Sequence, residues 1–387
     1  MPLANAFLSA EGLDAMEPHY PLRLRVCGRC LLLQLEDYEA PETIFSDYAY
    51  FSSYSTTWIE HSRRFAEEAI GRFGLGPESH VVEVGSNDGY LLRWFLERQI
   101  PALGIEPAAN VAAEAERRGV RTLVRFFGRA VGRELAASAR ADLIVANNVL
   151  AHVPNLDDFV GGFALLLAPD GTLTIEFPHV QRLLEEVQFD TIYHEHFSYF
   201  TLLTAEDVLA RRDLAVVDVD ELPTHGGSLR LYVRHADAAE APSDRVTALR
   251  ERERSLGLDD LGRFDELGVR SRELRQRIRR FFVERCGDGE RVVGYGAAAK
   301  GSTLVNYCGL GPDELAFCVD RNPRKQGTWL PGSRIPVRAP EDLARAEPDV
   351  VMILAWNLRE EVMEQLAPIR EWGGRFAWRS ADGVVMA

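Results

Sequence analysis

The segment Val81-Val82-Glu83-Val84-Gly85-Ser86-Asn87-Asp88-Gly89 does most to limit what this chain can fold into. A short apolar run with a buried-strand pattern (His80–Val84) ends in a glycine-bearing turn and passes into Tyr90-Leu91-Leu92-Arg93-Trp94-Phe95, a helical pattern. A second strand pattern, Ala102–Glu106, follows, then a helix over Asn110–Arg118 and strands over Ala141–Ala146 and Gly171–Phe177. Short apolar strands alternating with amphipathic helices predict a mostly parallel sheet with helices on both faces. An amphipathic helix over Trp58–Phe73 precedes the first strand.

The turn reads ExGxxxG. Ligands of open α/β sheets bind outside the carboxyl ends of the strands, near the point where strand order reverses. Gly85 lets the backbone approach a ligand, and Gly89 lets the next helix pack closely. Glu106 closes the second strand, where a carboxylate accepts hydrogen bonds from both hydroxyls of a ribose. Glu83 and Asp88 are tolerable near a cation and unhelpful near a phosphate. Together these features favour S-adenosylmethionine (SAM), which has a ribose and a sulfonium but no pyrophosphate. Glu83, Gly85, Ser86, Asn87, Gly89 and Glu106 are the candidate cofactor residues. Asn147 and Asn148, at the end of a later strand, lie where the methionine part of the cofactor would pass.

A second α/β unit begins at Arg291–Gly296, with strands over Leu315–Val319 and Asp349–Leu354. Its turn, Gly294-Tyr295-Gly296-Ala297-Ala298-Ala299, and the later Asp320 fit the dinucleotide pattern. NAD is one reading. Another nucleotide group, with Lys300 on a phosphate, is the other. The charged stretch from Ala236 to Arg285 reads as a connecting helix or helix pair. The expected plan is an N-terminal module (1–55), a first doubly wound domain (56–235), a helical link (236–286) and a second Rossmann-like domain (287–387).

The chemistry is written most densely in Tyr193-His194-Glu195-His196. Imidazole is the usual general base near neutral pH. An adjacent carboxylate orients and charge-stabilises it, and a phenol donates to a developing oxyanion. His152 follows the asparagine pair and would join from the neighbouring strand end. Catalysis is favoured over a metal site, and a metal site over a purely structural cluster. The aromatic and hydroxyl-rich run Tyr48–Trp58 is a substrate-facing segment or packing.

Length and charge set the remaining limits. At 387 residues the chain allows two or three domains. A formal charge of −15 argues against nucleic acid as the main partner. No apolar run is long enough for a bilayer, and the N-terminus lacks a secretory layout, so a cytoplasmic protein is expected. Five cysteines, scattered and odd in number, do not form a disulfide framework.

The segments VEVGSNDGYLL, GIEPAANVA, FDTIYHEHFSYFT, GYGAAAKGSTLVNYCG, VDRNPRKQGTWLPG and WNLREEV resemble, in that order, the sugar C-methyltransferases of antibiotic deoxysugar pathways. The resemblance covers essentially the whole chain. It implies a zinc-binding module, a SAM domain and a C-terminal Rossmann-like domain, in a monomer acting on a dTDP-linked keto-deoxysugar. It implies proton removal next to the ketone and methylation of the resulting enolate. His196 matches the family's base, Tyr193 and Glu195 its assisting residues, and His152 a supporting residue. It implies that the C-terminal domain holds the nucleotide-sugar rather than NAD, with Lys300 and Asn306, and that His194 contacts substrate. Tyr50 and Tyr54 match the part that covers cofactor and substrate. The family has two CxxC pairs, the first upstream of a PLANAFL-like segment. Here Met1-Pro2-Leu3-Ala4-Asn5-Ala6-Phe7-Leu8 opens the chain, so Cys27 and Cys30 stand alone. Two thiolates do not close a four-ligand zinc site. Either the start is truncated or zinc is lost. An NAD-dependent dehydrogenase or epimerase, or a non-catalytic nucleotide-sugar binder, are the competing readings.

Overall fold

The computed structural model describes residues 1–45 and 51–387. Tyr50 lies outside the described residues. Two compact units emerge. One comprises Arg25–Val180 and His196–Asp260, the other Met1–Leu24, Gln181–Glu195 and Leu261–Ala387.

In the first unit, a hairpin of β1 (Arg25–Val26) and β2 (Leu33–Gln34) precedes the main sheet. The helix Thr56–Phe73 begins two residues before the expected Trp58, because the Ser55 side chain accepts from Trp58 N and sets the start. Gly74 ends it at a φ of 62°, which only glycine adopts without strain. The sheet then takes β3 (Val81–Val84), β4 (Ala102–Ile105), β5 (Thr122–Leu123), β6 (Ala141–Asn147) and β7 (Leu167–Pro178). A short β8 (Ser198–Tyr199) pairs with β2, and the hairpin β9 (Leu214–Leu222) and β10 (Ser228–His235) completes the main sheet. Strand order is β5-β4-β3-β6-β7-β10-β9. All pairings are parallel except those of β10 with β7 and with β9.

Burial follows the two-residue period of a strand. Val82, Val84, Ile144 and Leu231 join one helix layer, whereas Val81, Leu143 and Val145 join Phe65, Ala69 and Tyr90 in the other. The sheet is therefore buried on both faces, as its near-continuous apolar strands predicted.

The second unit is built on β11 (Val292–Tyr295), β12 (Cys318–Val319), β13 (Val337–Arg338), β14 (Val350–Ile353), β15 (Arg375–Ser380) and β16 (Gly383–Met386). Their order is β13-β12-β11-β14-β15-β16, parallel apart from the last hairpin. The expected strand over 315–319 shortens to two residues, because Glu314 N and Leu315 N both turn back to Gly311 O.

The units do not follow linear boundaries. Residues 1–24 belong with the C-terminal sheet, anchored where Leu8 exchanges backbone hydrogen bonds with Trp329. Of the expected link, the helix Asp244–Ser255 belongs to the first unit and the helix Asp265–Gly287 to the second. Among the described residues, no helix is long and apolar enough to cross a membrane.

Candidate active site

Strand order reverses at β3, between β4 and β6, and the glycine turn sits at that point. Gly85 has φ 70°, and a β-carbon there would come within 2.3 Å of Val149 Cγ2. A β-carbon on Gly104 would meet Ser86 Oγ at 2.4 Å. Backbone and side chains are thus closely fitted around the turn. Asn87, itself at φ 48°, accepts from Ser52 N at 2.8 Å. Asp88 is fully buried and accepts from the Ser53 hydroxyl and from Arg118 at 3.1 Å. Asn87 and Asp88 thereby brace residues 52 and 53 respectively. This brace sets the turn Ser52–Tyr54 against the glycine loop and leaves Tyr54 about 42% exposed beside Phe51.

Glu106 accepts from Asn87 N at 3.0 Å and Ala108 N at 2.9 Å, one on each carboxylate oxygen. Burial raises its pKa to about 7 against these two amides. Glu83 is fully buried, and desolvation raises it well above the carboxylate range despite the nearby Tyr90 hydroxyl. Burial thus favours the protonated form of the Glu83 carboxyl.

The fit to SAM can be judged from what is left open. Ser86 Oγ, Asn147 Oδ1 and the whole Asn148 side-chain amide are buried without a protein hydrogen-bond partner. They stand at the carboxyl ends of β3 and β6, and buried polar groups of this kind call for a ligand or water. With Gly85 and Glu106 they fit a nucleoside carrying an amino-acid tail. If Glu106 must be ionised to receive the ribose, the sign is fixed: it gains a proton as pH falls through 7. SAM affinity, measured by calorimetry, is expected to weaken about tenfold between pH 8 and pH 6 for one proton. Glu106→Gln should bind more weakly with a flat profile, and a flat wild-type profile contradicts the assignment.

The four chemistry-bearing residues divide between the units, with Tyr193, His194 and Glu195 in the C-terminal one and His196 in the first. His196 is buried, its ring 4.8 Å from that of His152 and 5.9 Å from Tyr199. Its position is built by backbone pairing. Phe197 N donates to Ala151 O at 2.7 Å, Leu35 N donates to Phe197 O at 2.9 Å, and β8 pairs with β2. The CxxC hairpin thus braces the strand that follows His196. Glu195, in the other unit, takes the Asn5 amide on both oxygens, at 2.7 and 2.9 Å. His194 meets Pro21 O at 3.1 Å, and burial lowers its pKa. Tyr193, His194 and Asn306 do come together, with Met1, Ser302 and Thr303, around a cleft of about 10 Å³. As it stands that volume holds about one water.

In the second glycine turn Gly296 takes φ 93°. Asp320 accepts from Ala297 N and Asn322 N, each at 2.8 Å. Lys300 is partly buried, 4.8 Å above the Trp356 ring and 3.3 Å from Asn357 Oδ1. Burial lowers its pKa to about 8, with Asp190 pulling it up and Arg379 down. Asp190 itself holds Trp356 Nε1 at 2.5 Å and Arg379 at 3.0 Å.

Cys27 and Cys30 flank the tight β1–β2 turn, where Leu31 N donates to Cys27 O at 2.9 Å. Among the described residues, no group of three or more His, Cys, Asp or Glu gathers in a metal-binding arrangement. The two thiols by themselves do not make a closed zinc site, and no step of the chemistry is routed through one.

One cluster escaped the sequence reading. Glu176, fully buried at the end of β7, binds Arg230 at 2.7 Å, Thr224 Oγ1 at 2.8 Å and His61 Nε2 at 3.0 Å. Glu176 and Arg230 are directly opposite in the β7–β10 register. A lone acid and a lone base inside two otherwise apolar strand patterns were the signal available.

Three stretches of the chain match family models. Residues 1–45 match the “Putative zinc binding domain” model, 58–219 a methyltransferase domain and 223–379 a C-methyltransferase C-terminal domain. The chain is 38% identical over 376 residues to the C-methyltransferase NovU of Streptomyces niveus, covering 97% of this chain and 90% of that one. Among solved structures, the magnesium protoporphyrin IX methyltransferase ChlM of Synechocystis with bound SAM aligns at 14% identity and a TM-score of 0.34. That alignment covers 46% of this chain and 81% of that one. A SAM-dependent methyltransferase of Clostridium acetobutylicum aligns at 12% identity and a TM-score of 0.37, over 46% and 91% of the two chains. The Gly294 turn lies inside the C-methyltransferase match, which sets aside the dehydrogenase reading.

Proposed function

The chain belongs to the SAM-dependent C-methyltransferases, and from that premise we propose that it methylates the carbon next to the ketone of a dTDP-linked keto-deoxysugar. The observation that carries the reading is His196, a buried imidazole set edge-on to His152 within the unit that holds the Gly85 crevice. An oxygen acceptor asks only for loss of a hydroxyl proton. A carbon acceptor asks for a positioned base and a donor to the enolate oxygen.

In this reading His196 Nε2 or Nδ1 takes the proton from the carbon alpha to the ketone. His152, ring against ring, keeps the imidazole oriented. The Tyr193 hydroxyl donates to the oxygen on which charge develops, and Glu195, fixed by Asn5, balances the imidazolium. SAM supplies a methyl group on a sulfonium, which the deprotonated carbon takes up. Glu83, Gly85, Ser86, Asn87, Gly89, Glu106 and Asn147 hold the cofactor, with Tyr54 over it. His194, Lys300 and Asn306 serve the nucleotide-sugar, Lys300 through its charge on the diphosphate. The unit built on β11–β16, which includes residues 1–24, is the nucleotide-sugar-binding one, and the unit built on β3–β10 is the SAM-binding one. The enzyme works as a cytoplasmic monomer.

The test is mass spectrometry of a panel of dTDP-keto-sugars incubated with enzyme and SAM. A gain of one methyl group, retained after acid release of the sugar and located on carbon by NMR, is the expected result. Methylation on oxygen, or no product across the panel, overturns the proposal.

A further inference from the structure

The turn joining β9 to β10 carries an imidazole that the reaction outlined above leaves unused. His225 lies between Thr224 and the pair Gly226-Gly227. Its backbone is in the left-handed region, φ 55° and ψ 16°, and Gly226 and Gly227 follow at φ 91° and 111°. Glycine takes such angles freely, while a residue with a β-carbon is strained there. Two glycines stand next to it, yet the first left-handed position keeps a side chain. Strain of this kind persists where the surroundings enforce it, and it gathers at functional sites.

Here the enforcing group is Glu176. One oxygen takes the Thr224 hydroxyl at 2.8 Å and the other takes Arg230 at 2.7 Å. Gly227 O accepts from His179 N at 3.0 Å, which ties the far side of the turn to the end of β7. The His225 ring then rests edge-on against Trp58 at 5.1 Å, and Trp58 stacks on His61 at 4.9 Å and lies 5.9 Å from Tyr90.

Sheet order places this turn relative to the glycine crevice. The cofactor crevice opens where β3 lies between β4 and β6. The β9–β10 turn is at the same carboxyl edge, three strands on from β3, past β6 and β7. Glu176 is the register partner of Asn147, so the cluster is one strand from the buried Asn147 oxygen that has no protein partner. With SAM over β3 and β6, as the proposed function has it, the side towards β7 and β10 is left to the acceptor. The turn is only partly exposed, and an imidazole offers both a donor and an acceptor nitrogen to a hydroxyl or ketone.

We infer that His225 is a substrate-binding residue that hydrogen-bonds the sugar acceptor, and that Glu176, through Thr224, is the positioning residue that holds it there. The inference rests on the keto-sugar reading. His225→Gly separates function from structure, because it removes the imidazole and relieves the positive φ together. KM for the acceptor is expected to rise at least about tenfold, while the SAM dissociation constant stays within about twofold and the thermal midpoint does not fall. His225→Gln should recover part of the acceptor affinity. Thr224→Val, which cuts the tie to Glu176, should raise acceptor KM with SAM affinity unchanged. Wild-type acceptor KM in His225→Gly overturns the inference, as does a KM rise accompanied by an equal loss of SAM affinity. Wild-type enzyme that methylates no keto-sugar sinks the acceptor reading, and this inference with it. Wild-type turnover with an unaltered His225→Gly enzyme sinks the inference alone.

Discussion

Replacing His196 by Asn is expected to lower the rate of methyl transfer by about 10³-fold, within the range that a positioned general base contributes. Asn fills much of the same space and still hydrogen-bonds, but it has no nitrogen that takes a proton near neutral pH. The cofactor groups are elsewhere, at the ends of β3, β4 and β6, so SAM affinity should stay within about twofold. Single-turnover formation of methylated sugar is the measurement, because it excludes product release. His196 sits in a buried ring contact with His152, and a structural role would show as a lower thermal midpoint with a modest loss of rate. Normal rates in the variant, at any stability, remove His196 from the mechanism and return the choice of base to His152 or His194.

What the sequence disclosed about this site depended on distance along the chain. The Gly85 turn and Glu106 were legible because strand, turn, helix and second strand are consecutive. Their chemistry is fixed by local backbone geometry, and Glu106 does lie against the turn through Asn87 N. The strands that end at Val84, Ile105 and Asn147 were recovered for the same reason, whereas the hairpins β9–β10 and β15–β16 were not called. By contrast, nothing local says that residues 1–24 belong with the C-terminal sheet, since Leu8 finds Trp329 across more than three hundred residues. The Tyr193–His196 segment looked like one cluster, yet the division between units falls inside it. Asn5 has no sequence signature as a partner of Glu195. Asp88, judged from charge beside a cofactor, is instead occupied by Ser53 and Arg118. Glu176 and Arg230 were passed over because a strand pattern is scored on its apolar residues. The informative feature was the polar exception, since a charge on a buried strand has to be met on the neighbouring one.

That exception carries the largest stability effect expected here. Burial alone would push the Glu176 carboxyl up, but the His61 hydrogen bond and the Arg230 charge override it and hold the pKa down to about 2. Glu176 is fully buried and Arg230 only 3% exposed. Glu176→Gln keeps the shape and leaves a guanidinium without its counter-charge, which costs about 3–5 kcal/mol for a broken buried pair. Urea unfolding of the first unit's transition should register that loss. Arg230→Met in the same background should restore part of it, because the pair is then removed from both sides. The pH dependence has a definite sign. A carboxyl held below its ordinary value of 4.5 contributes stability above that pH, and the contribution is lost as pH falls from 4.5 towards about 2. Wild-type protein should therefore lose more stability over that interval than Glu176→Gln does. Equal acid sensitivity in the two proteins means that Glu176 is not ionised in the fold. Arg230 would then need another counter-charge, and the turn that carries His225 would be held by hydrogen bonding alone.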